Sequence, residues 1–272
     1  MKNMKWKVFF TAFLAAAVFF GILGATGAEA ADTIKVSNAR EFLEALGSDR
    51  IIELEPGDYN LSKAMDAKLP EGVSWSEVFD GKELVLEGIT DLTIRTSPPD
   101  DVKAEIFVDP RYAFVMKFVS CYDIVLDNIR AGHSEGGDCD GGVFSFEFAA
   151  RVNINNTSMY GCGTQGLVIS ESFEIKVTDS EIYDCTYHIM TVTGGEDIAF
   201  ENCSFHYNKE YTMVNVSGTA NMTFEECKFD NNQGQMFNVE GTTISVRNST
   251  FSGNSDSGIR DSANVEFTNC EF

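Results

Sequence analysis

Residues 198–205 read Ile-Ala-Phe-Glu-Asn-Cys-Ser-Phe, and this stretch decides the fold because the chain keeps returning to it. It comes back as Met-Thr-Phe-Glu-Glu-Cys-Lys-Phe at 222–229 and as Ile-Ser-Val-Arg-Asn-Ser-Thr-Phe at 244–251. A fourth copy, Val-Glu-Phe-Thr-Asn-Cys-Glu-Phe, fills 265–272. The shared pattern is apolar, x, apolar, x, then Asn/Asp/Glu, Cys/Ser/Thr, x and Phe/Ile/Met. Upstream copies begin at Ile175 and Val152 and, more weakly, at Ile124 and Leu92, so the steps along the chain are 32, 28, 23, 23, 24, 22 and 21 residues. Alternation with period two makes each copy open on a strand. A second short strand is expected in each copy, at 167–169, 190–192, 214–216 and 237–239.

A step near 23 residues is too short for a propeller blade and lacks the leucine-rich consensus. It fits one coil of a right-handed parallel β-helix, an all-β solenoid in which like positions stack about 4.8 Å apart. Seven or eight coils would then make a rod of roughly 35–40 Å. Stacking predicts an internal column of Phe205, Phe229, Phe251 and Phe272, and an amide ladder of Asn208, Asn232 and Asn254 that satisfies turn backbone. Cys162 and Cys185 hold the ladder slot in earlier coils. Cys203, Cys227 and Cys270 share a slot with Thr157, Ser180 and Ser249. Most of the seven cysteines therefore read as small buried ladder residues. A Cys162–Cys185 bridge stays open, and Cys121 and Cys139 stand outside the pattern.

The ends are read separately. Lys2, Lys5 and Lys7, the apolar run 8–24 and Ala28-Glu29-Ala30 form the pattern of a secretory signal peptide over residues 1–30. An uncleaved membrane anchor is the alternative reading, and no other run is long enough to span. The protein is thus expected to be secreted, periplasmic or at the cell surface, with the β-helix domain covering 31–272. Residues 37–46 read as a short amphipathic helix, capped by Ser37 or Asn38 and ended by Gly47, that covers the first coil. Arg50 onward reads as the first strand, and 62–80 as a surface loop. The C-terminal coil carries no capping sequence, which leaves an edge for self-association.

The net charge of -22 on 272 residues makes nucleic acid and anionic membranes poor partners. Removing residues 1–30 takes away three lysines and one glutamate and leaves about -24. A neutral glycan suits such a surface better than a polyanionic one, which would need a bridging cation such as Ca²⁺.

The helix followed by Ile-Ile-Glu-Leu-Glu-Pro-Gly-Asp-Tyr-Asn-Leu-Ser (51–62), with coils ending Glu-Asn-Cys-Ser-Phe and Thr-Asn-Cys-Glu-Phe, resembles the pectate-lyase-like right-handed β-helix proteins. In particular it resembles bacterial secreted proteins described only by this repeat. The resemblance covers most of 33–272 and carries fold rather than activity. Lyases of this fold use an Arg or Lys base, commonly with Ca²⁺-binding aspartates, and none of their motifs is matched here residue by residue. Gly132-His133-Ser134 is a lone fragment of a polygalacturonase motif, and Asp109-Pro110-Arg111-Tyr112 lacks the histidine of the epimerase motif. No catalytic set is carried over.

Two local features remain. The segment 133–142 lengthens its coil and gathers His133, Glu135, Asp138, Cys139 and Asp140 among glycines. A Ca²⁺ site using Glu135, Asp138 and Asp140 is one reading, and a solvated acidic loop is the other. The second feature is a turn row of Gln165, His188, Tyr211 and Gln235, with Tyr187 beside it. Aromatic faces and amide donors suit a neutral sugar chain, although exposed turns ordinarily carry such residues too. The expected function is carbohydrate binding along one face. The alternatives are a polysaccharide lyase or glycoside hydrolase, and an adhesive module assembling through its C-terminal edge.

Overall fold

The computed structural model describes residues 32–97, 102–135, 141–161 and 163–272. The expected signal segment, 1–30, lies outside the described residues.

Parallel strands stack into three sheets, of ten, eight and eight strands. The first contains Ala150–Asn155, Phe173–Thr178, Glu196–Glu201 and Ala220–Glu225. The second contains the three-residue strands Ser158–Tyr160, Glu181–Tyr183, Ser204–His206 and Lys228–Asp230. The third contains Gln165–Ser170, His188–Thr193, Thr212–Ser217 and Gln235–Glu240. Each coil thus has three strands, where two were expected. The closing Phe of the repeat belongs to a strand of its own, separated from the first by only two residues.

That two-residue corner explains the repeat's most regular letters. Its first residue sits in the left-handed region at Asn156, Asp179, Asn202, Glu226, Asn248 and Asn269, with φ between 45° and 55°. Asn and Asp enter this region at least cost among residues with a side chain. The next residue turns its side chain into the core. There Thr157, Ser180, Cys203, Cys227 and Ser249 are buried. Cys203 and Cys227 use their thiols as small donors, to Val177 O at 3.5 Å and Phe200 O at 3.5 Å respectively. The hydrogen bond with the neighbouring Cys203, with burial behind it, pushes the Cys227 thiol well up. Cys203, Cys227 and Cys270 are free thiols, as the ladder reading expects, and so is Cys121, which stood outside it. Cys185 is disulfide-bonded, and Cys139 and Cys162 lie outside the described residues.

Inward positions pack rung on rung. Phe205–Phe229, Phe229–Phe251 and Phe251–Phe272 follow at ring spacings of 4.8, 4.8 and 5.0 Å. Phe200–Phe224 and Phe118–Phe146 stack at 4.9 Å in two further columns. The amide ladder is present. Asn208 N–H donates to Asn232 Oδ1 (3.1 Å) and Asn232 N–H to Asn254 Oδ1 (3.0 Å). Their amide nitrogens donate to Ile182 O (3.1 Å) and Phe205 O (2.9 Å).

The N-terminal end carries the expected helix and differs in two ways from the sequence reading. The first strand is Asp32–Val36, ahead of the helix, and pairs in parallel with Arg50–Leu54. The helix is Ala39–Ala45, capped by Asn38 Oδ1, with Phe42 and Leu43 buried. Residues 62–80 are not a loop. A 3₁₀ turn, Leu61–Ala64, leads to a hairpin of Val73–Val78 against Gly81–Glu87, which adds an antiparallel edge to the third sheet. The alternation in 73–78 is masked by polar residues because this edge strand is exposed on one side.

Replacing Asn232 by Ala should strip the Asn208 N–H and the Phe205 carbonyl of their buried partners. A loss of roughly 2–6 kcal/mol in urea unfolding is expected, at ~1–3 kcal/mol per orphaned group. A loss under about 0.5 kcal/mol would contradict the ladder's role.

Candidate functional site

The turns leading from the second sheet into the third share one slot, the residue after each short second-sheet strand. The strands' register places Gly161, Asp184, Tyr207, Asn231 and Gly253 in that slot. All five have positive φ, between 55° and 64°. Gly, Asp and Asn accept this conformation; a tyrosine there is strained by about 1–2 kcal/mol. Tyr207 is nonetheless 55% exposed, so burial does not offset the cost. Glu210 and Tyr211, at the end of the same turn, also have positive φ (53° and 47°), and Tyr211 is 67% exposed.

The Tyr211 ring lies 5.2 Å from Tyr187 and 6.3 Å from His188, tilted in both cases. Tyr207 meets His206 edge-on at 5.3 Å. Gly234, on the next turn, lets the chain pass close: a Cβ there would lie 2.0 Å from the Tyr211 carbonyl oxygen.

Register corrects the expected row. Gln165 pairs with His188 and Thr212 with Gln235, while Met190 pairs with Val214. The aligned row is therefore Gln165, His188, Thr212 and Gln235, and Tyr211 stands one residue before it. From His206 to Thr212 the turn spends one residue more than from Tyr183 to His188, and the surplus is what projects Tyr211 outward. The remaining row residues are polar and partly tied down. Thr191 Oγ1 donates to Gln165 Oε1 at 2.5 Å, and Gln235 Nε2 to Phe237 O at 2.8 Å. His188 Nδ1 faces the Thr212 carbonyl. The Asn215 amide is 3.2 Å from the same nitrogen.

The 133–142 segment is placed differently. His133 is a core residue, 4% exposed, with Nε2 donating to Ala113 O at 2.9 Å. Burial holds its pKa below the ordinary histidine value. It contributes to the wall of a concavity with Asp58, Glu105, Phe107, Ser134 and Tyr160. Glu135 is spent on Arg111 Nη2 at 2.8 Å. Asp138 and Asp140 lie outside the described residues. Among the described residues no group of three or more His, Cys, Asp or Glu is placed to hold a metal ion.

A network on the outer face of the second sheet escaped the sequence reading. Tyr160 donates its hydroxyl to Glu105, whose other oxygen lies 3.6 Å from Arg130 Nη1. Arg130 also donates to Tyr183 OH (3.1 Å) and lies over the Tyr160 ring at 4.8 Å. Lys103 Nζ donates to Ser158 Oγ (3.1 Å), Ser158 to Glu181 Oε1 (2.7 Å), and His206 Nε2 lies 3.3 Å from Glu181 Oε2. Burial raises the Tyr160 and Tyr183 hydroxyls and lowers Lys103. Tyr160, Tyr183 and His206 stack at 5.8 and 5.0 Å. Their faces cover one another and only their edges turn outward. They are a ladder, whereas Tyr207 and Tyr211 are not covered in this way. The signal was available: outward positions step with the rungs, from Glu105 and Arg130 to Ser158 and Glu181.

The match to known proteins agrees with this architecture. A family model described as "Right handed beta helix region" matches residues 122–272. Among solved structures, a pectate lyase from Paenibacillus sp. 0602 matches at 10% identity and a TM-score of 0.52, covering 82% of this chain and 78% of that one. An alginate lyase from Paenibacillus sp. str. FPU-7 matches at 10% identity and a TM-score of 0.45, covering 89% and 99%. At such identities the likeness is one of fold. No curated protein matches the sequence.

The His206 imidazole, helped by the Ser158 hydroxyl, holds Glu181 down to about 2. Its contribution to stability is present above the ordinary carboxylate range and lost as pH falls towards 2. Carbon-detected NMR of the Glu181 carboxyl should show a midpoint near 2, rising towards the ordinary glutamate value in His206→Ala. An ordinary midpoint in the wild type would contradict the pairing.

Proposed function

Because the chain belongs to the right-handed β-helix family, we propose that it is a secreted or surface protein that binds a neutral glycan along the edge between its second and third sheets. One observation carries the reading: a single turn, 207–211, holds two exposed tyrosines in a backbone conformation that disfavours them. Strain of this kind persists where the surrounding fold enforces it, and it concentrates at functional sites. Tyr207 and Tyr211 offer apolar ring surface to a sugar. Gln165, His188, Asn215 and Gln235 supply hydrogen-bond partners on the adjoining strands. The net charge of -22 works against a polyanionic chain.

An enzyme of the polysaccharide lyase or glycoside hydrolase class is the second reading, favoured by the Lys103, Arg130 and Glu105 cluster at the entry side of the second sheet. Two features weigh against it. Both cations are already hydrogen-bonded. Glu105 and Glu181, the carboxylates of one outward column, are three rungs apart, about 14 Å at ~4.8 Å per strand. A hydrolase places its acid and base within about 10 Å.

Tyr207→Asn separates a functional tyrosine from an ordinary turn residue. Relief of strain should raise stability by about 1 kcal/mol, while binding to neutral polysaccharide in affinity electrophoresis falls several-fold. Tyr211→Ala should weaken binding at least as much. Stability gained with binding unchanged would refute the role. Ultraviolet absorbance of an unsaturated uronate product would favour the lyase.

A further inference from the structure

A second aromatic station sits on the same edge, several rungs away. The tip of the hairpin between Val73–Val78 and Gly81–Glu87 carries Phe79, which is 87% exposed. Its ring lies 5.0 Å from Tyr112, in the turn that precedes the third-sheet strand Met116–Val119. The tip is fastened down. Asp80 accepts the backbone N–H groups of Arg111 (2.7 Å) and Tyr112 (3.2 Å). Gly81 lies so close to Pro110 that a Cβ would come within 2.4 Å of the proline ring. A phenylalanine this exposed, on a hairpin tip tied to the rod at three points, is held out rather than left loose.

Tyr112 and Tyr211 occupy the same kind of turn, each leading into the third sheet. Between Met116–Val119 and Thr212–Ser217 the sheet advances four strands, or about 19 Å at ~4.8 Å per strand. The column joining the two stations is in register, Lys117, Ser145, Val168, Thr191 and Asn215, and is half-exposed except at Ser145, which is buried. Its one cation is neutralised, since Lys117 Nζ lies 2.7 Å from Glu147 Oε1.

We infer that Phe79 and Tyr112 form a distal sugar-binding station of the same track, so that the ligand is a linear neutral glycan spanning both stations rather than a mono- or disaccharide. The inference rests on the binding reading given above and extends it to ligand length. An extended pyranose unit advances by about one rung spacing, so a chain bridging both stations has about four to six units.

The test is calorimetric binding of linear β-1,4-linked gluco-, xylo- and manno-oligosaccharides of graded length to the wild type, Phe79→Ala, Phe79→Tyr and Tyr211→Ala. For at least one series, wild-type affinity should climb until about five units and then level off. Phe79→Ala should lose about tenfold for the long oligomers and nothing for the trimer, with Phe79→Tyr restoring the loss. Tyr211→Ala should weaken short and long oligomers alike. Affinity that is flat beyond the trimer, or unchanged long-chain binding in Phe79→Ala, overturns this inference and leaves the Tyr207–Tyr211 platform standing. Failure of every oligomer and of neutral polysaccharide to bind the wild type overturns both.

Discussion

A coil of three strands must bend sharply three times, and each bend exposes backbone groups that no helix or hairpin satisfies. In this protein the bends are satisfied by side chains stacked from coil to coil. The Asn208–Asn232–Asn254 ladder does this at the exit of the second sheet, each asparagine amide oxygen accepting the backbone N–H of the same slot one coil earlier, Cys185 included. The two-residue corner after the first sheet adds a matching demand: a residue that tolerates positive φ, then a small side chain that fits inside. Everything inward follows from these repeated corners. Once they are aligned, the Phe columns are brought to stacking distance.

The outward residues are freed from that demand, and there the coils differ. On the second sheet the freedom is used for two polar groups running side by side over the same rungs, one of Glu105, Arg130, Tyr160 and Tyr183 and one of Lys103, Ser158, Glu181 and His206. Their donors and acceptors are largely spent on one another, which makes them a brace for that face. At the neighbouring edge the tyrosines of the 207–211 turn are spent on nothing comparable. The contrast between stacked Tyr183 and projecting Tyr211 is why the edge, rather than the face, is proposed as the place for a ligand.

The degree to which this was legible in the sequence follows the same division. The inward columns, the amide ladder and the Cys/Ser/Thr slot were readable because stacking forces them to recur. The third strand of each coil was missed because it is only three residues long and shares its inward Phe with the repeat's last letter. Tyr211 was placed one residue off, since one extra turn residue is invisible to spacing but plain in the pairing of Thr212 with Gln235. His133 looked like a ligand for its polar neighbours and is a buried wall residue, because the strand Ile129–His133 turns it inward. Tyr207 was not singled out in the sequence, since its meaning lies in a backbone angle. Phe79 was assigned to a loop because the edge hairpin that carries it has no counterpart in the repeat.

The central claim is that the second-to-third-sheet edge is where a neutral glycan lies. Backbone amide NMR with a saturating neutral oligosaccharide tests it most directly. The account predicts shift changes concentrated at 187–188 and 207–215, with the first sheet's outer face undisturbed. Changes confined to the first sheet, or spread evenly over all three, would contradict it.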